Sequence, residues 1–178
     1  WAWTASIAPN SPITAFLRPE SADASAQLVM LEPYQPGKIP VVFVHGLASD
    51  PTTWLTLLNS LRAQAWFRER YQVWAFRYPT GMPFLQSAAT LRRELQAALA
   101  LAPGGVDDPA ARQMVLIGHS MGGLISKLQV TDSGTELWDL VANRPLDAIR
   151  AENADRERLR EVFFFAPQPY IRKVIFIG

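Results

Sequence analysis

Short apolar runs that alternate with amphipathic stretches define the predicted architecture of this chain. The run 40–44 is β-branched and continuously apolar, which is typical of a strand buried on both faces. Similar runs rich in β-branched and aromatic residues predict further strands at 27–31, 72–76, 113–117 and 173–177. Strands that alternate with helices in this way predict an α/β fold with a mostly parallel sheet flanked by helices.

The spacing of apolar residues between these runs predicts the helices. The first begins at Asp50, which fits an N-cap, and Pro51, which fits the first helical position. We expect it to run to about Ala65 and to bury one face, formed by Trp54, Leu57, Leu58 and Leu61. Further helices are predicted over 84–101, with Leu91, Leu95, Ala98 and Leu99 buried, and over 124–130.

Several segments carry weaker patterns. Residues 1–26 are rich in Pro, Ser and Ala and are predicted to form an N-terminal arm or linker before one domain over 27–178. The charged run 150–161 is expected to be a solvated helix face. The phenylalanines at 163–165 are expected in the core rather than in a pocket for an apolar ligand. Asp107-Asp108 precedes the strand predicted at 113–117 and is expected in a solvated loop on the opposite edge of the sheet.

Composition narrows the class of protein. The 178 residues are 49% hydrophobic and 19% charged, as in globular chains, and the net charge of +1 gives no strong attraction to nucleic acid or anionic membranes. The absence of cysteine excludes disulfides and thiolate metal sites. We expect neither a metal nor an organic cofactor.

No apolar run reaches the roughly 20 residues that span a bilayer. Cytoplasmic and exported locations both stay open, as does the oligomeric state.

The strongest chemical signal is the run Gly118-His119-Ser120-Met121-Gly122-Gly123. It joins an apolar run to a helical stretch, and G-x-S-x-G in that context is a nucleophile elbow. Ser120 is therefore predicted to be a catalytic nucleophile, with glycines on both sides because a Cβ there would collide with neighbouring backbone. A phosphate-binding loop would need Lys and Ser/Thr where Leu124 and Ile125 stand. A turn that only links a strand to a helix is the alternative.

A second motif, His45-Gly46-Leu47, follows the strand predicted at 40–44. Ligands of open α/β sheets bind at the carboxyl ends of the strands. We therefore expect this loop to meet the elbow there.

Together, the two motifs resemble the α/β-hydrolase superfamily, through Val41-Val42-Phe43-Val44-His45-Gly46-Leu47 and Gly118-His119-Ser120-Met121-Gly122-Gly123. The lipase and carboxylesterase branch, including lipase-like deacylases, is the most similar. The resemblance implies that the N–H groups of Leu47 and Met121 form an oxyanion hole. It also implies that segment 133–171 contributes a cap or wall, and that the following residues support the site: His45, Gly46, Gly118, His119, Gly122 and Gly123.

The general base is missing from these motifs. The resemblance implies the chain order nucleophile, acid, histidine, yet the two histidines, His45 and His119, both precede Ser120. His45 as an unorthodox base is an alternative, and the His119 side chain is expected to point away from Ser120 Oγ. The acidic residues of the following segment come too early for the family's acid, so none is assigned: Asp132, Asp139, Asp147 and Asp155.

These features predict a fragment. The chain begins with Trp1 rather than Met, ends on the strand predicted at 173–177, and lacks the acid and the histidine. We expect the N-terminal part of one α/β-hydrolase domain, truncated before its last strands, with low solubility and little turnover on its own. A complete but degenerate hydrolase is the alternative.

The predicted function is a serine hydrolase that cleaves a lipid-like or other apolar carboxylic ester through an acyl-enzyme on Ser120. The acid and the base would lie beyond Gly178. Two alternatives stay open. One is a non-catalytic scaffold or binding protein, and the other is an acyltransferase or thioesterase that uses the same groups. The expected partner is a small-molecule or lipid ester, with no nucleic acid.

Overall fold

The computed structural model describes residues 26–178. Within them, five strands form one sheet in the order β1-β3-β2-β4-β5, with β1 antiparallel to β3 and all other pairs parallel. The predicted fold class is confirmed, while the arm predicted over 1–26 lies outside the described residues apart from Ala26. The strands are β1 (Gln27–Met30), β2 (Ile39–Val44), β3 (Tyr71–Arg77), β4 (Met114–His119) and β5 (Ile171–Ile177).

Helices follow or connect these strands and cover the sheet. The α-helices are α1 (Leu55–Ala63), α2 (Ala65–Arg70), α3 (Phe84–Leu101), α4 (Met121–Lys127), α5 (Glu136–Asp139) and α6 (Asn153–Phe163). Short 3₁₀ turns lie at Pro51–Trp54, Gly105–Asp107, Ala111–Gln113 and Leu146–Ala148.

The central strand β2 is buried on both faces. Successive side chains of a strand point to opposite faces, so β2 contributes to two separate clusters. Val42 and Val44 pack with the buried leucines of α3, while Val41 and Phe43 pack with α1 and α2. The face predicted for α3 is correct, with three leucines fully buried and Ala98 partly buried: Leu91, Leu95 and Leu99.

The first predicted helix is divided in the structure. Asp50 caps it as expected, since its carboxylate accepts a hydrogen bond from Thr52 N at 2.7 Å. The chain then breaks at Gln64, whose backbone is extended, and resumes as α2, which the sequence pattern did not predict. The break allows the ring of Phe67 to enter the core, where it stacks on Tyr71 at 5.2 Å.

Asp108 contradicts the prediction of a solvated loop, although the side chain of Asp107 is exposed as expected. The Asp108 carboxylate is buried and accepts hydrogen bonds from Tyr34 Oη at 2.7 Å and from the backbone N–H groups of Gly37 and Ala110 at 2.9 Å. Burial by itself raises the pKa of this carboxyl, but the hydrogen bonds hold the pKa below its ordinary value. The group joins the amino ends of β2 and β4, at the opposite end of the strands from the elbow.

The segment between α4 and β5 packs on the outer side of α3. The apolar side chains of this segment surround Ala89 of α3 and form one cluster with it. The buried members from the segment are Trp138, Leu146, Leu159, Val162 and Phe163. The exposed face of α6 carries an ion pair between Glu157 and Arg160. Phe163 is core, whereas Phe164 lines an open cleft of about 680 Å³ beside Trp138.

Two sets of polar contacts fasten this segment. Arg92 of α3 is buried, and its guanidinium donates to the carbonyls of Leu128 at 3.4 Å and Glu161 at 2.8 Å, above the ring of Phe165. At the base of the segment, Ser133 N donates to Phe165 O at 3.0 Å, and Phe165 N donates to Ser133 Oγ at 2.8 Å. The two ends of the excursion are therefore held together.

Across residues 26–178, no helix combines the length and the apolar character that a membrane crossing requires.

Candidate active site

Ser120 occupies a sharp turn between β4 and α4. Its backbone has φ 52° and ψ −122°, a conformation that is uncommon for a residue with a side chain. Two backbone hydrogen bonds hold it there, from Ser120 N to Ile177 O at 2.9 Å and from Gly123 N to Ser120 O at 2.8 Å. Ser120 is exposed at the carboxyl end of β4.

The turn is tighter than the sequence pattern predicts. The helix begins at Met121 directly after the serine and ends at Lys127, rather than covering 124–130. Its first turn can pack this closely because Gly118 and Gly122 lack a Cβ. A Cβ on Gly118 would lie under 3.0 Å from Gly122 O, and one on Gly122 would lie under 3.0 Å from Val44 O.

The loop after β2 reaches the elbow. A Cβ on Gly46 would lie 3.1 Å from Ser120 Cβ and 3.0 Å from His119 Nδ1, so the two motifs are in close contact. Leu47 is 63% exposed beside them. Within residues 26–178, the backbone N–H groups of Leu47 and Met121 have no hydrogen-bond acceptor. Both predicted oxyanion donors are thus free to bind a ligand atom.

The His45 side chain packs against Tyr78 and Gly46 rather than against Ser120. It is 1% exposed, its ring stacks on Tyr78 at a centroid distance of 4.3 Å, and its Nδ1 lies 3.0 Å from Gly46 O. Burial lowers the pKa of His45 below its ordinary value, so the imidazole is neutral near pH 7.

His119 packs against the other side of the site. Its ring meets Trp54 edge-on at 6.3 Å, and its buried Nδ1 has no hydrogen-bond partner within the described residues. In the same part of the chain, neither imidazole is hydrogen-bonded to the Ser120 hydroxyl. Within the described residues, the structure brings together Ser120, the Gly46 loop and His119, but it places no base in contact with the Ser120 hydroxyl.

Two contacts at this site were not predicted from the sequence. Tyr78 Oη donates to His45 O at 2.7 Å, and Ala48 N donates to Thr80 Oγ1 at 3.3 Å. One signal was available. Tyr78 is an aromatic residue directly after a buried strand, and parallel neighbours end at the same edge of a sheet.

Within the part of the chain that the structure describes, no cluster of three or more His, Cys, Asp or Glu side chains could hold a metal ion.

Comparison with known families agrees with this geometry. A family model described as the alpha/beta hydrolase family matches residues 41–174, which include both glycine motifs and most of the sheet. The chain belongs to the α/β-hydrolase family. No curated protein matches the sequence of this α/β hydrolase significantly.

Solved structures show only a distant likeness. An epoxide hydrolase from Aspergillus niger is 14% identical with a TM-score of 0.41, and the match covers 62% of this chain and 29% of that one. The sarin-phosphonylated esterase 2 of Thermogutta terrifontis is 16% identical with a TM-score of 0.46, over 86% of this chain and 68% of that one. A phospholipase/carboxylesterase from Dyadobacter fermentans is 19% identical with a TM-score of 0.39, over 60% and 54%. This α/β hydrolase therefore spans under a third of the epoxide hydrolase.

Proposed function

We propose that this α/β hydrolase is a serine esterase of the lipase and carboxylesterase branch that cleaves an apolar carboxylic ester. Ser120 Oγ attacks the ester carbonyl carbon, and its proton passes through a base to the departing alcohol. Water then hydrolyses the acyl-enzyme and regenerates the hydroxyl. The observation that carries the proposal is the strained, exposed Ser120 at the end of a buried parallel strand, in contact with the Gly46 loop.

The negative charge that develops on the carbonyl oxygen needs preorganised donors. We assign this role to the N–H groups of Leu47 and Met121, which have no acceptor within residues 26–178. Met121 is also the first residue of α4, whose amino end carries a partial positive charge. Each such donor is worth roughly 3 kcal/mol of barrier height.

We place the histidine and its acid beyond Gly178 in the native-length protein. Two observations support this placement. The chain's two histidines are committed to local packing, and β5 ends beside the nucleophile, since Ile177 O accepts the Ser120 N–H at 2.9 Å. A segment that continues from β5 would start within reach of the serine. By itself, the 178-residue chain is expected to turn over little ester, because triad residues act as a unit.

Exposed apolar side chains at the elbow favour an apolar acyl group. Leu47 is 63% exposed on the loop beside Ser120, and Leu124, one turn along α4 from the serine, is 55% exposed. The net charge of +1 offers no strong attraction for a charged substrate. We further propose that 133–171 forms a wall of the site, because it packs against Leu85 and Ala89 in the first half of α3.

Fluorophosphonate labelling of the native-length protein tests the nucleophile. We expect wild type to be labelled and Ser120→Ala to lose both labelling and ester turnover. Ser49→Ala is the matched control, because Ser49 lies in the neighbouring loop and, among the residues that the structure describes, its hydroxyl contacts only Asp50 O at 3.4 Å. Undiminished turnover in Ser120→Ala would reject the assignment.

A non-catalytic scaffold is the second candidate, favoured by the lack of an imidazole hydrogen bond to Ser120. A folded native-length protein that takes no label would support it. If labelling succeeds, turnover with water, alcohol and thiol acceptors separates an esterase from an acyltransferase or a thioesterase, which share the nucleophile and the oxyanion donors.

A further inference from the structure

The loop that follows β3 holds the Leu47 segment at several points. Tyr78 Oη donates to His45 O at 2.7 Å, and the Tyr78 ring stacks on the His45 imidazole at 4.3 Å. Beyond Leu47, Thr80 Oγ1 accepts the N–H of Ala48 at 3.3 Å. The His45–Gly46 peptide unit, one unit before the Leu47 N–H, and the Leu47–Ala48 unit after it are therefore both fastened to the same neighbouring loop.

The His45 side chain links Tyr78 to the peptide unit that contains the Leu47 N–H. Its Nε2 faces the backbone N–H of Tyr78 at 3.5 Å, and its Nδ1 lies 3.0 Å from Gly46 O. The tautomer that satisfies both contacts carries its proton on Nδ1 and donates it to Gly46 O. In a trans peptide the C=O and N–H point in opposite directions. Fixing Gly46 O therefore fixes the direction of the Leu47 N–H.

Burial makes these contacts well defined. Tyr78 is 4% exposed and stacks on Phe76 behind it, so its hydroxyl is shielded from bulk water. Burial raises the pKa of Tyr78 to about 12 and lowers that of His45, so the hydroxyl stays a donor and the imidazole stays neutral near pH 7. The buried His45 Nδ1–H that is donated to Gly46 O also polarises the Gly46–Leu47 peptide unit and strengthens the Leu47 N–H as a donor.

We propose that Tyr78 and Thr80 are positioning residues that aim the Leu47 N–H at the oxyanion. This inference rests on the proposed esterase function and adds residues that act through the His45-Gly46-Leu47 segment rather than by touching the substrate. Tyr78 acts through His45 on the near side of Leu47, and Thr80 acts through Ala48 on the far side.

The decisive variant is Tyr78→Phe in the native-length protein. It removes the hydroxyl that fixes His45 O, and it keeps the stacked ring and the backbone N–H that faces His45 Nε2. We expect kcat for an ester to fall about tenfold with KM changed little, because a misaligned donor weakens transition-state binding. The same ester and its thionoester analogue are compared, since sulfur accepts hydrogen bonds weakly. We expect Tyr78→Phe to lower the ester rate much more than the thionoester rate.

Control variants separate positioning from general damage. Tyr170→Phe removes the hydroxyl of another buried tyrosine, which bonds Gln168 at 3.0 Å away from the elbow, and is expected to keep the wild-type rate ratio. If Tyr78→Phe fails to fold, the partly exposed Thr80 carries the test. Thr80→Val should reduce the ester-to-thionoester ratio, and Thr80→Ser, which keeps the hydroxyl, should restore it.

The outcomes distinguish this inference from the function beneath it. If wild type labels at Ser120 but the rate ratio is unchanged in the folded Tyr78→Phe and Thr80→Val proteins, the positioning role is overturned and the esterase stands. If the folded wild type takes no fluorophosphonate at Ser120, the esterase assignment itself fails. A lower ratio in both variants, with Ser120 still labelled, supports the positioning role.

Discussion

Gly122 lies against the carbonyl of Val44 so closely that a single added methyl group would have no space. A Cβ on Gly122 would lie under 3.0 Å from Val44 O and under 3.0 Å from His45 O. Both obstructing atoms belong to the backbone, at the end of the central strand β2. The first turn of α4 therefore rests directly on this strand, and the contact sets the height of Ser120 above the sheet.

Gly122→Ala is expected to destabilise the fold by about 3 kcal/mol or more, because neither backbone can yield without moving the sheet. Urea denaturation measures the change. Gly81→Ala is the matched control, since Gly81 has no positive φ and a Cβ there would meet no other atom within 4 Å. It should be neutral or stabilising by up to about 1 kcal/mol. Equal effects of the two substitutions would contradict the close-contact argument.

Asp108→Asn is expected to cost about 1–3 kcal/mol at pH 7, because an amide cannot accept from all the donors that now face the carboxylate. The folded pKa of Asp108 lies below its ordinary value. Its contribution is therefore present above the unfolded pKa of about 3.9 and is lost as the pH falls through the folded pKa. Unfolding free energies at pH 7 and pH 3 should differ less in Asp108→Asn than in wild type.

The adjacent residue supplies the control for this prediction. Asp107 has an exposed side chain that, within residues 26–178, forms an ion pair only with Arg112 at 3.5 Å. Asp107→Asn should leave both the stability and its acid dependence close to wild type. A loss as large as that of Asp108→Asn would show that charge alone, rather than the buried hydrogen bonds, is responsible.

Arg92→Met is expected to destabilise the protein by about 3 kcal/mol, because it leaves the carbonyls of Leu128 and Glu161 without their donor. Arg92→Lys should not rescue it, since one ammonium lacks the fork that reaches both carbonyls. Amide hydrogen exchange should accelerate in α6 before it does in β2.

Arg93→Met is the control, because the Arg93 side chain is exposed and its contact with the Glu161 carboxylate is long, at 3.9 Å. Similar losses in both variants would refute the fastening role.

Ile175→Lys is expected to reduce self-association of the 178-residue chain. Among the described strands β5 pairs only with β4, and it leaves Ile175, Phe176 and Ile177 exposed. Apolar edge strands template pairing between chains, and an edge lysine opposes it. Sedimentation velocity across concentrations measures the effect. Leu101→Lys alters a more exposed residue on α3, away from any edge, and should change the association little. An equal reduction would implicate general hydrophobicity.

The pattern of apolar residues predicts the elements whose burial repeats regularly along the chain. Helix α3 matches its predicted bounds, 84–101, because its leucines recur on one face over five turns. The Asp50 cap is also predictable, since its partner Thr52 is two residues away. Such features depend on neighbours in sequence, which a local pattern records.

Features that depend on distant partners were not predictable in this way. The break at Gln64 follows from packing Phe67 into a core that β2 and α1 complete. Asp108 is buried because Tyr34 and Gly37, more than 70 residues earlier, bring donors to it. Tyr78 meets His45 only through the parallel pairing of β2 and β3. For the candidate site, the motifs indicate the residues beside Ser120 but not the loop that holds them.

The paired hydrogen bonds between Ser133 and Phe165 have a consequence for how this domain could change size. They close the base of the 134–164 excursion before the chain enters β5. Closing a longer loop costs only about 0.6 kcal/mol for each doubling of its length. A segment of different length grafted between these two residues should therefore leave the elbow and the sheet in register, provided that it still covers Ala89 and accepts the hydrogen bond that Arg92 now donates to Glu161 O. The surroundings of Ser120 could be exchanged at this point without rebuilding the sheet or the turn that holds the residue.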